Sequence, residues 1–292
     1  MAKKTGARSA VFRKIFDRFS AFFLWACMIA TSLALCVILA FLFAKGGAVI
    51  SWEFVTEPPR SGMTEGGIVT PLIGTVQLIL VSMGAAFPIG VMTAIYFNEY
   101  ARGGLLTKTL RLAVRSLASV PSVAFGLFGL AFFCAFLRFG ASLLSAGLTL
   151  ACLVLPTLIT ASETALYNVP QEYRDASYAL GATQWQTIYR VILPSAFPGI
   201  ITGAILSVGR VAGETAPIMF TGAVFFSPGF ASSVFDSVMA LPYHIYVLAT
   251  AGTNIERTQA IQYGTILVLL ALVLSVSMIG VVARSRLRRS VL

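Results

Sequence analysis

The densest chemistry in the chain is the run Gly209-Arg210-Val211-Ala212-Gly213-Glu214-Thr215-Ala216-Pro217, set inside an otherwise apolar stretch over 197–226. A guanidinium offers a planar fork of donors that matches the oxygens of a tetrahedral oxyanion two at a time. A carboxylate beside it accepts a hydrogen bond from a protonated anion oxygen and repels an anion that carries no proton. On one continuous helix, Ser207, Arg210 and Glu214 stand at i, i+3 and i+7 and share a face, which Gly203 extends. Thr215 adds a hydroxyl beside the carboxylate. With Arg210 near mid-run, an unpaired charge there costs about 2.5–3.5 kcal/mol on insertion scales. That face must therefore look into a bundle or a water-filled path. Mutual neutralisation of Arg210 and Glu214 is the plain alternative, although arginine four residues before glutamate is the less favourable helical order. Gly209 and Gly213 each cost a helix about 1 kcal/mol relative to Ala and predict close packing against a partner helix.

Reactive groups elsewhere are sparse. His244 is the only histidine, and one imidazole cannot make a metal site. Cys27, Cys36, Cys134 and Cys152 all lie in apolar runs without zinc spacing and read as small packing residues. Cys27 and Cys36, on one helix, would stand about 13 Å apart, too far for a disulfide. No His cluster, Cys–His pair or paired carboxylates at catalytic spacing occurs. No lysine follows a glycine, so the Gly-Lys-Ser/Thr of a P-loop is missing. The chain is expected to be no enzyme, with no catalytic residue, metal or cofactor.

The elements that must hold this polar run are membrane helices. Of 292 residues, 58% are hydrophobic and 11% charged, against about 25% charged in soluble domains; lipid has to be the solvent for much of the surface. Six runs reach the roughly 20 residues that a bilayer requires: 20–44, 68–97, 116–138, 143–167, 197–226 and 261–283. The expectation is an all-α polytopic protein. The first run is longer than the roughly 7–15 residues of a signal h-region and reads as an anchor that stays. Pro88, Pro121 and Pro156 sit within runs, as membrane helices allow. Phe139 to Ser142 leaves room only for a tight hairpin.

Sixteen of the 21 basic residues fall on one side of a six-span topology. By the positive-inside rule that side is cytoplasmic. It comprises the basic tail 1–19, the 98–115 connection with Arg102, Lys108, Arg111 and Arg115, the 168–196 connection, and the tail 284–292. Segments 45–67 and 227–257 then lie outside. The net charge of +10 is spread over span ends and does not form a nucleic-acid face. Glu163, near the inner end of the fourth run, shares a face with Pro156, Thr160 and Tyr167. It reads as a gate or as the salt-bridge partner of a loop arginine.

Residues 168–196 are too polar to span and too patterned for a plain linker. Pro170 followed by Glu172 opens a helix, and Gly181 is a natural stop. Thr183 with Gln186 is a capping box for a second short helix, and Pro194 ends the unit. Asp175-Ala176-Ser177, Gly181 and Val191-Ile192-Leu193-Pro194 keep the spacing of the Glu-Ala-Ala, Gly, Ile-x-Leu-Pro signature of ABC importer permeases, which this loop resembles. Small residues at Ala176, Ala179 and Gly181 let a partner surface approach.

From about Gly66 onward the chain resembles, more narrowly, the A-type permeases of bacterial phosphate-specific transport systems. The resemblance rests on Gly66-Gly67-Ile68 with Gly74-Thr75, Ala94-Ile95-Tyr96 to Glu99-Tyr100-Ala101, Val120-Pro121-Ser122 with Gly126-Leu127-Phe128-Gly129, and Gly209-Arg210 to Pro217 with Phe220-Thr221-Gly222. It implies a five-helix importer core over 68–283 plus an extra first helix, in the bacterial inner membrane. It implies a coupling loop, carried by Asp175, Ala176, Ser177, Gly181, Leu193 and Pro194, that inserts into an ATPase. Implied partners are a second permease subunit in a heterodimer, two copies of an ATP-binding subunit, and a periplasmic phosphate-binding protein above 227–257. The implied substrate path comprises Arg210, Glu214, Ser207 and Thr215. Residues 1–65 contribute little to the likeness. Rival readings are a permease for another oxyanion or small solute and an ion-driven secondary transporter. The latter should show inverted repeats, which the sequence lacks.

Overall fold

A computed structural model describes residues 3–60, 63, 65–101, 103–227, 229–251 and 255–291. Arg102 and the side chains at 3–16, 255–257 and 287–291, among them most of the basic tail residues, lie outside the described residues. The described chain is helical almost throughout: α1 (Lys3–Gly46), α2 (Trp52–Thr56), α3 (Val69–Ile95), α4 (Leu105–Leu117), α5 (Ser122–Gly129), α6 (Leu143–Tyr167), α7 (Gln171–Ala179), α8 (Gln184–Thr187), α9 (Leu193–Gly213), α10 (Ala216–Thr221), α11 (Leu241–Ala251) and α12 (Ile255–Val291). A single two-stranded ribbon, β1 (Pro59–Arg60) with β2 (Glu65–Gly66), sits between α2 and α3.

Five stretches are long and apolar enough to cross a bilayer: Asp17–Val49, Val69–Tyr100, Leu143–Tyr167, Gln184–Gly213 and Thr258–Arg286. A sixth crossing exists if α4 and the helix after it count as one bent span. The all-α, six-span expectation therefore holds, but two of the expected spans differ in shape.

The run 116–138 is not one helix. α4 stops at Leu117, and α5 starts at Ser122, bent from it by 103°. Pro121 (φ −57°, ψ 141°) stands at the corner; it has no N–H to give the preceding turn, and its ring excludes helical geometry before it. α4 is amphipathic, with Lys108, Arg111 and Arg115 along one side and Leu106, Leu110 and Leu117 on the other.

The run 197–226 is broken as well. Its helix begins at the loop, because α8, a π-helical turn (Ile188–Ile192) and α9 run on without a gap. Pro194 falls in the first turn of α9 and does not end the unit. A proline there costs little, and Ser195 Oγ donates to the Val191 carbonyl at 2.7 Å. The helix ends instead at Gly213, where Glu214 turns extended (φ −76°, ψ 128°). Gly213 is a weak helix former, and Pro217 has no N–H with which to bond back to the Gly213 carbonyl.

α6 is the centre of the bundle, 67% buried over its apolar window against 28% or less in the other spans. α3 and α9 flank it, α5 and α10 cover a further side, α12 packs on α9, and α1 touches α12. Glycine makes the approaches close. A Cβ on Gly147 would stand 2.5 Å from Val81, and one on Gly203 2.6 Å from Ala161. Buried hydroxyls bond their own helices, as Thr149 Oγ1 does with the Ser145 carbonyl at 2.7 Å, which answers the need for internal satisfaction in lipid. The hairpin 139–142 is tight as expected: Arg138 and Gly140 take positive φ, and Ser142 caps α6. Cys27 and Cys36 differ from the packing expectation, since both are exposed on α1, whose apolar window is 0% buried.

At the end of the bundle opposite the 168–196 loop, segment 222–251 is pinned to helix ends. Asp236 and Val234 accept from the Leu143 and Leu144 amides, Ser237 donates to the Ala141 carbonyl, and the Leu241 amide donates to Thr75 Oγ1. His244, 3% exposed, has no hydrogen-bond partner on either ring nitrogen among the described residues; burial pushes its pKa down to about 4, which keeps it neutral. A Cβ on Gly74 would lie 1.9 Å from the Met239 carbonyl oxygen, whereas Gly84, on the same helix, meets nothing within 4 Å. Gly74→Ala is therefore expected to destabilise the protein by about 1–3 kcal/mol. Gly84→Ala should be neutral or gain up to about 1 kcal/mol. Thermal unfolding of the two purified variants in detergent checks the contrast.

Candidate functional site

The two polar regions lie at opposite ends of α9. At the first end, α7 and α8 form the helix–turn–helix expected of residues 168–196. Gly181 takes φ +80°, with the Ala182 amide bonded to the Ser177 carbonyl (3.2 Å) and the Gly181 amide to that of Tyr178 (2.9 Å). This paired closure satisfies the last carbonyls of α7. The capping box is present in both directions, Gln186 N to Thr183 Oγ1 at 3.3 Å and Thr183 N to Gln186 Oε1 at 2.8 Å.

The six loop residues singled out by sequence divide into two sets. Ser177 is buried and shares a 2.9 Å hydrogen bond with Thr187, joining α7 to α8, and Leu193 packs against the core behind them. Asp175, Ala176, Gly181 and Pro194 are exposed. Around them stand apolar side chains that sequence reading missed: Leu180, 89% exposed, with Tyr173, Tyr178, Trp185 and Tyr189. These large side chains stand exposed on an otherwise polar loop.

A further group missed in the sequence holds this loop to the bundle. Arg174 Nη2 lies 3.0 Å from Glu99 Oε1, with the two side chains only 11% and 7% exposed. Arg174 also donates to the carbonyls of Val169 (2.7 Å) and Leu166 (3.1 Å), and so neutralises the C-terminal end of α6. Glu99 sits in a π-helical turn (Tyr96–Tyr100) that closes α3. A cleft of about 490 Å³ opens beside the pair, lined by Asn98, Tyr167, Asn168 and Gln171 among others. Glu163 pairs with Arg111 of α4 at 3.0 Å, the loop-arginine partnership that was one of its two readings.

At the other end, Arg210 occupies the last turn of α9, at the depth of the middle of α6 and α12, since Gly203 faces Ala161 and Gly209 faces Val273. Its Nε meets Glu214 Oε1 at 3.4 Å, with side-chain exposures of 36% and 18%. The pair forms across the helix end and not along a helical face, because Glu214 is already extended. The shared face expected of Ser207, Arg210 and Glu214 does not exist. Ser207 is fully buried and donates to the Gly203 carbonyl at 2.9 Å. Thr215 opens α10 without a side-chain cap bond. The close packing expected at Gly209 and Gly213 is also absent within the chain: a Cβ on Gly213 meets nothing within 4 Å, and one on Gly209 only Val273 at 3.8 Å. Gly199 and Gly203 make the close approach to α6 instead. Among the described residues no group of three or more His, Cys, Asp or Glu could hold a metal.

An all-helical bundle of bilayer-length apolar helices, with a polar helix–turn–helix between two of them, defines a polytopic membrane protein. The chain belongs to the family of binding-protein-dependent transport system inner membrane components, whose model matches residues 86–289. As a member it is a non-catalytic ABC importer permease, with ATP hydrolysis on a separate chain. It is 35% identical over 281 residues to a Mycobacterium leprae protein described as "Phosphate transport system permease protein PstA", covering 94% of this chain and 90% of that one. It is 31% identical over 283 residues to the Bacillus subtilis "Probable ABC transporter permease protein YqgI", covering 93% and 95%. The solved structure of a bacterial alginate ABC transporter superposes with a TM-score of 0.64 at 15% identity over 89% of this chain and 92% of that one, a likeness of fold alone.

Gly181 gives a direct check on the loop. Its left-handed φ costs an L-residue about 1–2 kcal/mol, yet no atom of the chain blocks a side chain there. Gly181→Trp is expected to insert in the membrane normally but to lose or uncouple the ATPase. Co-purification of the ATPase and solute uptake are the measurements; normal values for both would remove the loop from docking.

Proposed function

We propose that this chain is the A-type permease of a phosphate importer and moves inorganic phosphate across the bacterial inner membrane. The observation that carries the reading is the broken joint at residues 210–215. Arg210 reaches Glu214 through Nε alone and at 3.4 Å, a long contact for a charged pair. The outer fork of the guanidinium stays outside that pair. An incoming oxyanion would take the fork bidentately, and Glu214 would accept from its protonated oxygen and reclaim Arg210 after release. Thr215, free of capping duty, adds a donor. Ser207 contributes packing to this scheme and not a contact.

The relatives support phosphate as the solute: PstA proteins of Mycobacterium leprae and Pasteurella multocida are 35% and 33% identical to this chain. Gly213 is exposed and Arg210 half-buried, which supports a path completed from this side by a second permease subunit in a heterodimer. Two ATP-binding subunits would engage the 168–196 loop. A periplasmic phosphate-binding protein would sit over 227–257. Both termini and the loop would face the cytoplasm, in accord with the basic residues on that side.

Removing one member of a charged pair strands the other, at about 3–5 kcal/mol in the fully buried case, so Arg210→Gln alone is ambiguous. The double variant Arg210→Gln/Glu214→Gln removes both charges. It is expected to assemble with its partners yet lose phosphate uptake by at least about tenfold, because the binding fork is gone. Uptake near the wild-type rate in that variant, measured with labelled phosphate, would reduce the pair to a structural one.

A further inference from the structure

Two ties run from the 168–196 loop to one residue of a span that is not continuous with it. The Glu99 carboxylate holds Arg174 of α7 at 3.0 Å, and the Glu99 carbonyl accepts from Gln184 Nε2 of α8 at 2.8 Å. The partners lie 75 and 85 positions away in the chain. Asn98 Nδ2 donates to the same oxygen, Glu99 Oε1, at 2.6 Å. The same π-helical turn carries a third tie. Arg111 of α4 donates to the Phe97 carbonyl, lies over the Phe97 ring and pairs with Glu163 of α6.

The loop is covalently continuous with α6 and α9, so any displacement of it moves those two helices. α3 has no such continuity. Its remaining contacts with the loop end of the bundle are apolar, Ala94 packing among Leu166, Ile188 and Ile192. Apolar contacts are non-directional and let surfaces slide. A desolvated ion pair with fixed hydrogen bonds is directional, and opening it would leave a buried charge without compensation. The pair therefore stays closed while the loop moves.

We propose that Glu99 is a positioning residue that makes the 96–100 turn a strut, through which displacement of the 168–196 loop is delivered to α3 and, by Arg111, to α4. Glu99 touches neither nucleotide nor solute; it acts through Arg174 and Gln184. The inference rests on the reading that this loop docks the ATPase.

Hydrogen exchange on the assembled importer, with and without a non-hydrolysable ATP analogue, tests it independently of which solute is carried. In the wild type the analogue is expected to change protection at 171–192 and also across 96–117. With Glu99→Gln the change at 171–192 should persist and that across 96–117 should fall at least fivefold, with ATPase still co-purifying and solute moved per ATP hydrolysed reduced about tenfold. Gln184→Ala, at an exposed site where no charge is stranded, should cut the 96–117 response about twofold and provides the readout where Glu99→Gln does not assemble. An undiminished 96–117 response in an assembled Glu99→Gln complex, or in Gln184→Ala where the former fails, overturns the strut. A wild-type response at 171–192 without one at 96–117 overturns it alone, whereas silence at 171–192 removes the docking reading and the strut together.

Discussion

The close approach of α3 and α9 to α6 is the constraint on which the rest of the structure depends. Gly147 and Gly90 bring α3 and α6 together, and Gly199 and Gly203 do the same for α6 and α9. In lipid there is no hydrophobic drive to press helices into contact, so packing at backbone distance has to supply the association. Buried side-chain hydroxyls turn back on their own helices. The ion pairs resolved among the described residues stand where helices end or break: Glu99–Arg174 and Arg111–Glu163 at the loop end of the bundle, Arg210–Glu214 at the break after α9.

This separation matches what a permease driven by a separate ATPase requires. At one end, a directional network gathers α4, α6, α7 and the closing turn of α3 into one body that a partner can push. Deeper in the bundle, α9 breaks and leaves an arginine held by a single long contact. α9 joins the two: its first turn belongs to the loop and its last turn carries Arg210.

Much of the loop was legible in the sequence, because its signals are local. Gly181 as a helix stop and Thr183 with Gln186 as a capping box depend on neighbours within a turn, and the structure reproduces both. The apolar runs, likewise, announced the membrane helices. Helix breaks were the weak point. Pro121 and Pro194 are both prolines in apolar surroundings, yet the first turns a corner and the second is absorbed into the first turn of a helix; hydropathy cannot separate these cases. The break at Gly213 undid the helical-face reading of Ser207, Arg210 and Glu214, since i, i+3, i+7 spacing has meaning only on a continuous helix. Glu99, quoted only within a stretch that carries the family likeness, was given no partner for a different reason. Its partners are distant in sequence, and an acid next to Asn98 at the end of an apolar run looks like an ordinary span boundary. The exposed Leu180, Trp185 and Tyr189 were missed because a mostly polar composition hid the surface they form.

Uptake of labelled phosphate by cells that lack only this chain tests the central claim most directly, with sulfate and molybdate followed in parallel. The account predicts that high-affinity phosphate uptake is lost and returns with a plasmid copy of the chain, while sulfate and molybdate uptake stay unchanged. Undisturbed phosphate uptake, or loss of sulfate or molybdate uptake in its place, would contradict it.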